Sequence, residues 1–195
     1  MTDIEKRLRP ARIDEADVLA ELVDYAGEGL PSYLWGKMAG PGETAQEVGR
    51  RRAARETGTF SYRNATMIEY AGHAAGGLIS YVIPDDPKPV PSDVPAMVVP
   101  LQELENRAPG TWNVNVLGVL PQFRSLGLGT ELLRMADESA RKLGKRGMSI
   151  IVSDANIGAR RLYERLGYRE VARRTMVKEQ WVSDGHEWLL LIKLF

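Results

Sequence analysis

Val119-Leu120-Pro121-Gln122-Phe123-Arg124-Ser125-Leu126-Gly127-Leu128-Gly129-Thr130 joins an apolar, strand-like segment (Val114, Val116, Leu117, Val119) to a helix-like one (Leu132 onward). Two glycines and an arginine sit at the junction. The first amide N–H groups of a helix have no partner within it and carry the positive end of its dipole. Glycines there let phosphate oxygens approach the backbone without a Cβ in the way. The junction reads as an anion cradle, suited to a pyrophosphate. A P-loop needs Gly-Lys-Ser/Thr after its second glycine region, and here Gly129 is followed by Thr130-Glu131. A dinucleotide fingerprint needs a third glycine three places after the second, and that place holds Leu132. Both common nucleotide motifs fail.

What remains is Arg124-x-x-Gly127-x-Gly129 after a strand. Further along, Asn156-Ile157-Gly158-Ala159-Arg160-Arg161-Leu162-Tyr163-Glu164-Arg165-Leu166-Gly167-Tyr168 places an Asn at the opening of a helix, then Ala, then Leu-Tyr, then Gly-Tyr at its close. In this order, with an amphipathic helix and one strand between them, the two segments resemble the GNAT superfamily of N-acetyltransferases. The resemblance is strong over residues 112–177, and the flanks fit it as an arrangement of elements. It implies an α/β (α+β) fold: a mixed, mostly antiparallel central sheet flanked by helices, with splayed strands holding acetyl-CoA. One GNAT-like domain over residues 1–195 is the expected organisation.

Composition bounds the rest. The chain has 195 residues, 44% hydrophobic and 27% charged, enough for one substantial core. Formal net charge is zero and the pI is near 6.8, so no whole-molecule field favours nucleic acid or an anionic membrane. Basic runs at Arg50-Arg51-Arg52 and Arg160-Arg161 read as solvated helix faces. Cysteine is absent, which excludes disulfides and a thiolate nucleophile, and two distant histidines, His73 and His186, argue against a metal centre. The segment from Thr2 to Arg7 lacks an apolar signal core, and no run approaches the about 20 apolar residues of a membrane span. A cytoplasmic protein is the simplest expectation.

Along the chain, residues 7–13 read as a first strand and Glu15 to Ala26 as a helix capped by Asp14. Gly27 to Gly42 reads as a loop, Thr44 to Thr57 as a second helix, and Thr66–Tyr70 and Gly77–Ile83 as strands. Residues 84–110 are punctuated by seven prolines, with a short helical candidate at Leu101–Arg107. That stretch reads as an ordered excursion, either a wall of the substrate side or a structural flap. Trp112–Val119 is a strand, and Leu126 to Leu143 a helix with Leu128, Leu132, Leu133, Ala136, Ala140 and Leu143 on one face. Gly144 and Gly147 close it. Ser149–Val152, Ile157–Leu166, Glu170–Val177 and Trp188–Phe195 complete the pattern as strand, helix, strand and strand. The apolar last strand leaves pairing across a homodimer or simple burial open.

The resemblance assigns roles. Leu117, Gly118 and Val119 supply strand-like backbone contacts to the pantetheine arm, and Arg124, Ser125, Leu126, Gly127, Leu128, Gly129 and Thr130 hold the pyrophosphate. Tyr163 is the expected general acid, because a phenol is protonated at neutral pH and can hand its proton to a departing CoA thiolate. Asn156, with Ala159 beside it in the motif, is either a helix N-cap or a ligand of the pantetheine arm. Several family members carry a glutamate base eleven places before the loop arginine, and here that place is Asn113, which cannot take a proton. Asn115, two places on, cannot either. The base is then a water chain or an excursion carboxylate such as Glu103 or Glu105, or is unnecessary for an amine that arrives neutral. Tyr33 and Trp35 lie where substrate contacts are common in the family, with a core anchor the other role for the Trp. Acidic residues of the excursion (Asp85, Asp86, Asp93, Glu103, Glu105) suit either a cationic substrate or plain solvation. The expected partners are acetyl-CoA and an amine acceptor, with no metal. The missing carboxylate at 113 keeps a non-catalytic CoA-binding module as the alternative.

Overall fold

The computed structural model describes residues 5–195. Half of the N-terminal segment read above as lacking a signal core (Thr2, Asp3, Ile4) lies outside the described residues. Seven strands are present among the described residues: β1 (Lys6–Pro10), β2 (Ala65–Tyr70), β3 (His73–Val82), β4 (Trp112–Val119), β5 (Gly147–Ser153), β6 (Arg169–Thr175) and β7 (Glu187–Leu194). They form one sheet in the order β1-β2-β3-β4-β5-β7-β6. The helices are α1 (Ala16–Ala26), α2 (Leu30–Met38), α3 (Ala45–Ala53), α4 (Val99–Glu105), α5 (Leu128–Lys142) and α6 (Ile157–Arg165). By packing, the chain divides into two compact units, Met1–Ser80 with Val116–Met135 and Tyr81–Asn115 with Ala136–Phe195.

In the first unit β1 and β2 pair antiparallel from Lys6↔Tyr70 to Pro10↔Thr66. β2 and β3 pair antiparallel around a tight turn, Ala71-Gly72, where both residues have positive φ (51° and 78°). The turn is shorter than expected, because β3 already begins at His73. Leu19, Leu22, Val48, Met67 and Ile79 build the core under α1 and α3. Residues 27–42 were expected as a loop, yet they hold α2. Gly29 at its N-cap is left-handed (φ 80°) and Pro31 sits in the first turn, so residues that usually mark a loop here start a helix. Trp35 on α2 is buried and stacks on Phe60 at 5.8 Å and 14°. A Cβ on Gly49 of α3 would fall 2.5 Å from the Trp35 ring, so glycine sets that helix approach.

Helix α1 starts one residue later than expected, after a 3-10 turn at Ile13–Glu15, and Asp14 does not cap it. Asp14 pairs with Arg12 at 3.3 Å in solvent. The Glu15 carboxylate instead accepts from the Arg12 N–H at 2.8 Å and meets Arg9 at 2.6 Å. Helix α3 carries a reciprocal cap between Thr44 and Glu47, and it ends at Ala53, four residues short of the expectation.

In the second unit β4 and β5 run parallel through Trp112↔Met148, Asn113↔Ser149 and Val114↔Ile150, and the register goes no further into Asn115. Strand β5 pairs antiparallel with β7, and β7 with β6. With both its edges occupied and Trp188–Ile192 buried, β7 takes the second of the two roles open to it. The 84–110 excursion is ordered around α4, which packs on β5, β6 and β7. Leu143 does not join the apolar face of α5: it lies beyond the helix and is 58% exposed. Gly144 does end the helix, with φ at 63°. Gly147 belongs to β5, where a Cβ would lie 2.3 Å from the Lys193 carbonyl oxygen.

Candidate functional site

The glycine-arginine loop lies between β4 and α5, within the first unit. After a short 3-10 turn (Pro121–Phe123) the chain extends at Arg124, then adopts positive φ at Ser125 (64°) and Gly127 (78°) before α5 begins at Leu128. A left-handed residue either side of Leu126 turns successive peptide groups so that their N–H groups can line a concavity. Arg124, Ser125, Leu126 and Gly127 are exposed, whereas Leu128 is buried as the anchor of α5. Nothing lies within 4 Å of where a Gly127 Cβ would stand, so the space over that glycine is open.

The arginine is held lightly. Arg124 Nε points to the Val119 carbonyl at 3.4 Å, and its guanidinium lies 6.0 Å from the centre of the Tyr25 ring. Neither partner is an anion, so no ion pair neutralises its charge. Lys6 Nζ donates to the Leu126 carbonyl at 3.3 Å and reaches Glu131 at 3.7 Å, which pins the loop to β1. Gly129 and Thr130 fall in the first turn of α5, both half-buried. Upstream, Leu117 and Val119 are half-buried and Gly118 is buried. A Cβ at Gly118 would stand 2.9 Å from the Leu22 carbonyl oxygen of α1, so this glycine also serves packing.

The second motif lies in the second unit. Asn156 Oδ1 accepts from the Ala159 N–H at 3.2 Å, which makes Asn156 the N-cap of α6. Its side-chain NH2 makes no hydrogen bond among the described residues and stays available, so capping and ligand contact are compatible. The Ala159 N–H is committed to the cap. Tyr163 is buried, with its ring 5.9 Å from that of Tyr168. Burial raises its hydroxyl well above the ordinary phenol range, so it is fully protonated at neutral pH.

A buried polar chain, not legible as a unit in the sequence, surrounds Asn113. Ser149 Oγ donates to Asn113 Oδ1 at 3.1 Å, which turns the amide so that Nδ2 faces Glu105 Oε1 at 3.5 Å. Tyr81 donates its hydroxyl to the same carboxylate oxygen at 2.6 Å. Thr111 Oγ1 lies 2.8 Å from Ser149 Oγ and 2.7 Å from the Ala108 carbonyl, and with one proton it serves only one of them at a time. Burial pushes the Glu105 carboxyl up, a rise the Tyr81 hydrogen bond moderates. Glu103 is engaged elsewhere, with Arg174 at 2.6 Å. Tyr81 had no local signal to mark it: its partner is 24 residues away.

Trp35 takes the core-anchor role described above. The nearby Tyr33 ring carries Lys37 Nζ at 4.8 Å. Among the described residues no group of three or more acidic or histidine side chains is arranged to hold a metal, and no helix is long and apolar enough to cross a membrane.

Residues 37–168 match the Acetyltransferase (GNAT) family, and the chain belongs to that family. An uncharacterized N-acetyltransferase of Methanocaldococcus jannaschii is 40% identical over 57 residues, 29% of this chain and 25% of that protein. The chain thus matches about a quarter of that relative's length. Among solved structures, mosquito arylalkylamine N-acetyltransferase like 5b superposes with a TM-score of 0.68 at 21% identity, covering 98% of this chain and all of that one. A GNAT family acetyltransferase from Elizabethkingia anophelis, solved with acetyl-CoA bound, gives a TM-score of 0.55 at 14% identity over the whole of both chains. These likenesses establish the GNAT fold, and acetyl transfer is the chemistry that membership suggests.

Proposed function

We propose that the protein moves an acetyl group from acetyl-CoA to an amine. The observation that carries this reading is the loop at the start of α5: exposed, left-handed at Ser125 and Gly127, open over Gly127, and flanked by an arginine with no anionic partner. Such a loop offers backbone N–H groups and positive charge to a pyrophosphate without a Cβ in the way. Arg124 and residues 125–130 take that role, with Leu117, Gly118 and Val119 offering the strand backbone to the pantetheine arm and the Asn156 amide a further donor. That a GNAT acetyltransferase of the same fold binds acetyl-CoA supports the assignment.

The amine nitrogen attacks the thioester carbonyl carbon, a C–N bond forms, and the C–S bond breaks with its electron pair leaving on sulfur. Tyr163 is the proton donor to that sulfur. Its buried hydroxyl holds its proton at neutral pH, so the donor is present in its protonated form.

Thiol release from acetyl-CoA in the presence of an amine panel tests this. Wild type should turn over, and Tyr163→Phe should lose about 100-fold in kcat while CoA binding measured by calorimetry is retained. Binding without thiol release on any amine would mean a CoA-binding module and defeat the proposal.

A further inference from the structure

Glu105 stands apart from the other engaged acidic side chains of the second unit. Glu103, Asp137, Glu170 and Glu187 each face a lysine or arginine and Asp154 accepts from the His186 N–H, whereas Glu105 faces the side chains of a phenol and an amide. Its Oε1 takes both of those donors. Its Oε2 has no hydrogen bond among the described residues and is not one of the fully buried unpaired atoms, so solvent reaches it. Asn113, which touches Glu105, and Asn115 alternate on one face of β4. Asn115 is exposed in mid-strand, where the recorded register between β4 and β5 has already ended at Val114↔Ile150. A carboxylate oxygen without a cation therefore opens beside a strand face that its neighbour leaves uncovered.

We propose that Glu105 binds the acceptor as its ammonium and takes the proton from the nitrogen, with Tyr81 and Asn113 as positioning residues, so that the substrates are cationic amines. This rests on the acetyl-transfer reading above. The ammonium gives one proton to Glu105, and the neutral nitrogen uses its freed lone pair to form the C–N bond. As the C–S bond breaks, the nitrogen loses a second proton. That second proton restores the hydroxyl of Tyr163, which has protonated the sulfur, and the first leaves Glu105 through Oε2 to solvent.

Burial raises the Glu105 carboxyl, which brings a carboxylate nearer to the proton affinity a base needs at neutral pH. The groups that face it are few. Tyr81 comes from β3 and Asn113 from β4, and the adjacent charge on its own helix, Glu103, is neutralised by Arg174 of β6. Strand β5 presents no ionisable side chain, and the charged residues of β7, Glu187 and Lys193, are paired with Arg173 and Asp137. Nothing charged competes for the carboxylate.

The test is the pH dependence of thiol release with tryptamine, spermidine and a peptide bearing a free α-amine as acceptors. Wild-type kcat/KM should rise with pH through an acid limb set by Glu105. In Glu105→Gln that limb should disappear and kcat/KM at neutral pH should fall about 100-fold, with CoA affinity unchanged within about two-fold. Glu105→Asp should keep the limb at a reduced rate. Tyr81→Phe should move the limb to higher pH, because it removes the hydrogen bond that holds the carboxyl down, and this readout stands even if the Gln variant folds poorly. An unchanged limb and rate in Glu105→Gln, or an unmoved limb in Tyr81→Phe, overturns the assignment while leaving acetyl transfer intact. Absence of turnover by wild type with every amine overturns the acetyl-transfer reading and this one with it.

Discussion

Asn113 cannot titrate, but Ser149 orients its amide so that an N–H faces a group that can, Glu105. The cost of keeping that carboxyl buried appears in stability as well as chemistry. Its folded-state proton affinity is raised, so the stabilising contribution is complete below the unfolded-state value and is lost as pH climbs through the folded-state one. Glu105→Gln has no such dependence. Calorimetric melting of the two proteins from about pH 4 to pH 8 should show the variant's Tm gaining on wild type as pH rises. A variant Tm that keeps a constant offset from wild type, or falls further behind it as pH rises, would contradict the raised carboxyl. Residue-level legibility followed sequence distance. Asn156 is readable as a cap because its partner, Ala159, is three places on, whereas the Tyr81–Glu105 contact spans 24 places and depends on the sheet. Asp14 shows the opposite hazard: a good capping residue is set apart from the start of α1 by a 3-10 turn, which the Glu15 carboxylate closes by accepting from the Arg12 N–H, with Arg9 holding it in place, and no side chain caps the helix itself.

At the scale of elements, β4 is bounded by Pro109-Gly110 before it and Pro121 after it, and its sequence limits agree with Trp112–Val119. Helix α2 escaped because Gly29, Pro31 and Gly36 resemble loop punctuation, while its stability comes from burying Leu30 and Trp35. Tertiary packing overrode propensity there. Gly147 was expected to close α5, yet its service is to bring β5 against β7. Gly147→Ala would press a Cβ onto the Lys193 carbonyl and the Leu194 Cα, backbone atoms that cannot swing away. A loss of about 1–3 kcal/mol or more is expected, read as a lower urea midpoint with the slope unchanged. A neutral result would mean that the β5–β7 ladder yields more easily than its register implies.

For the molecule as a whole, ligand linkage offers a global readout of the loop. If acetyl-CoA binds only the folded chain, at about 100 times its Kd it should add about 2.7 kcal/mol and raise Tm accordingly. The same shift is expected for Tyr163→Phe, whose loop is intact. It should be absent in Gly127→Val, where a β-branched side chain enters the open space and must accept a φ of 78°. An undiminished shift in that variant would place the pyrophosphate elsewhere. The mixed sheet itself was implied by the paired motifs, not by any strand's own pattern. Nothing local announces that β7 inserts between β5 and β6, since that position is set by ladders to both neighbours.

The strand order also decides how the protein behaves toward copies of itself. Strands β1 and β6 end the sheet, and neither offers a bare edge. The former carries Lys6, Arg7 and Arg9 and finishes on Pro10, and the latter bears Arg169, Glu170, Arg173 and Arg174. Long charged side chains and a residue without an N–H discourage a foreign strand from zipping on. With zero formal charge and a pI near 6.8, the chain has little net repulsion to keep molecules apart at neutral pH. Its colloidal safety in a crowded solution therefore rests on these two short, guarded strands.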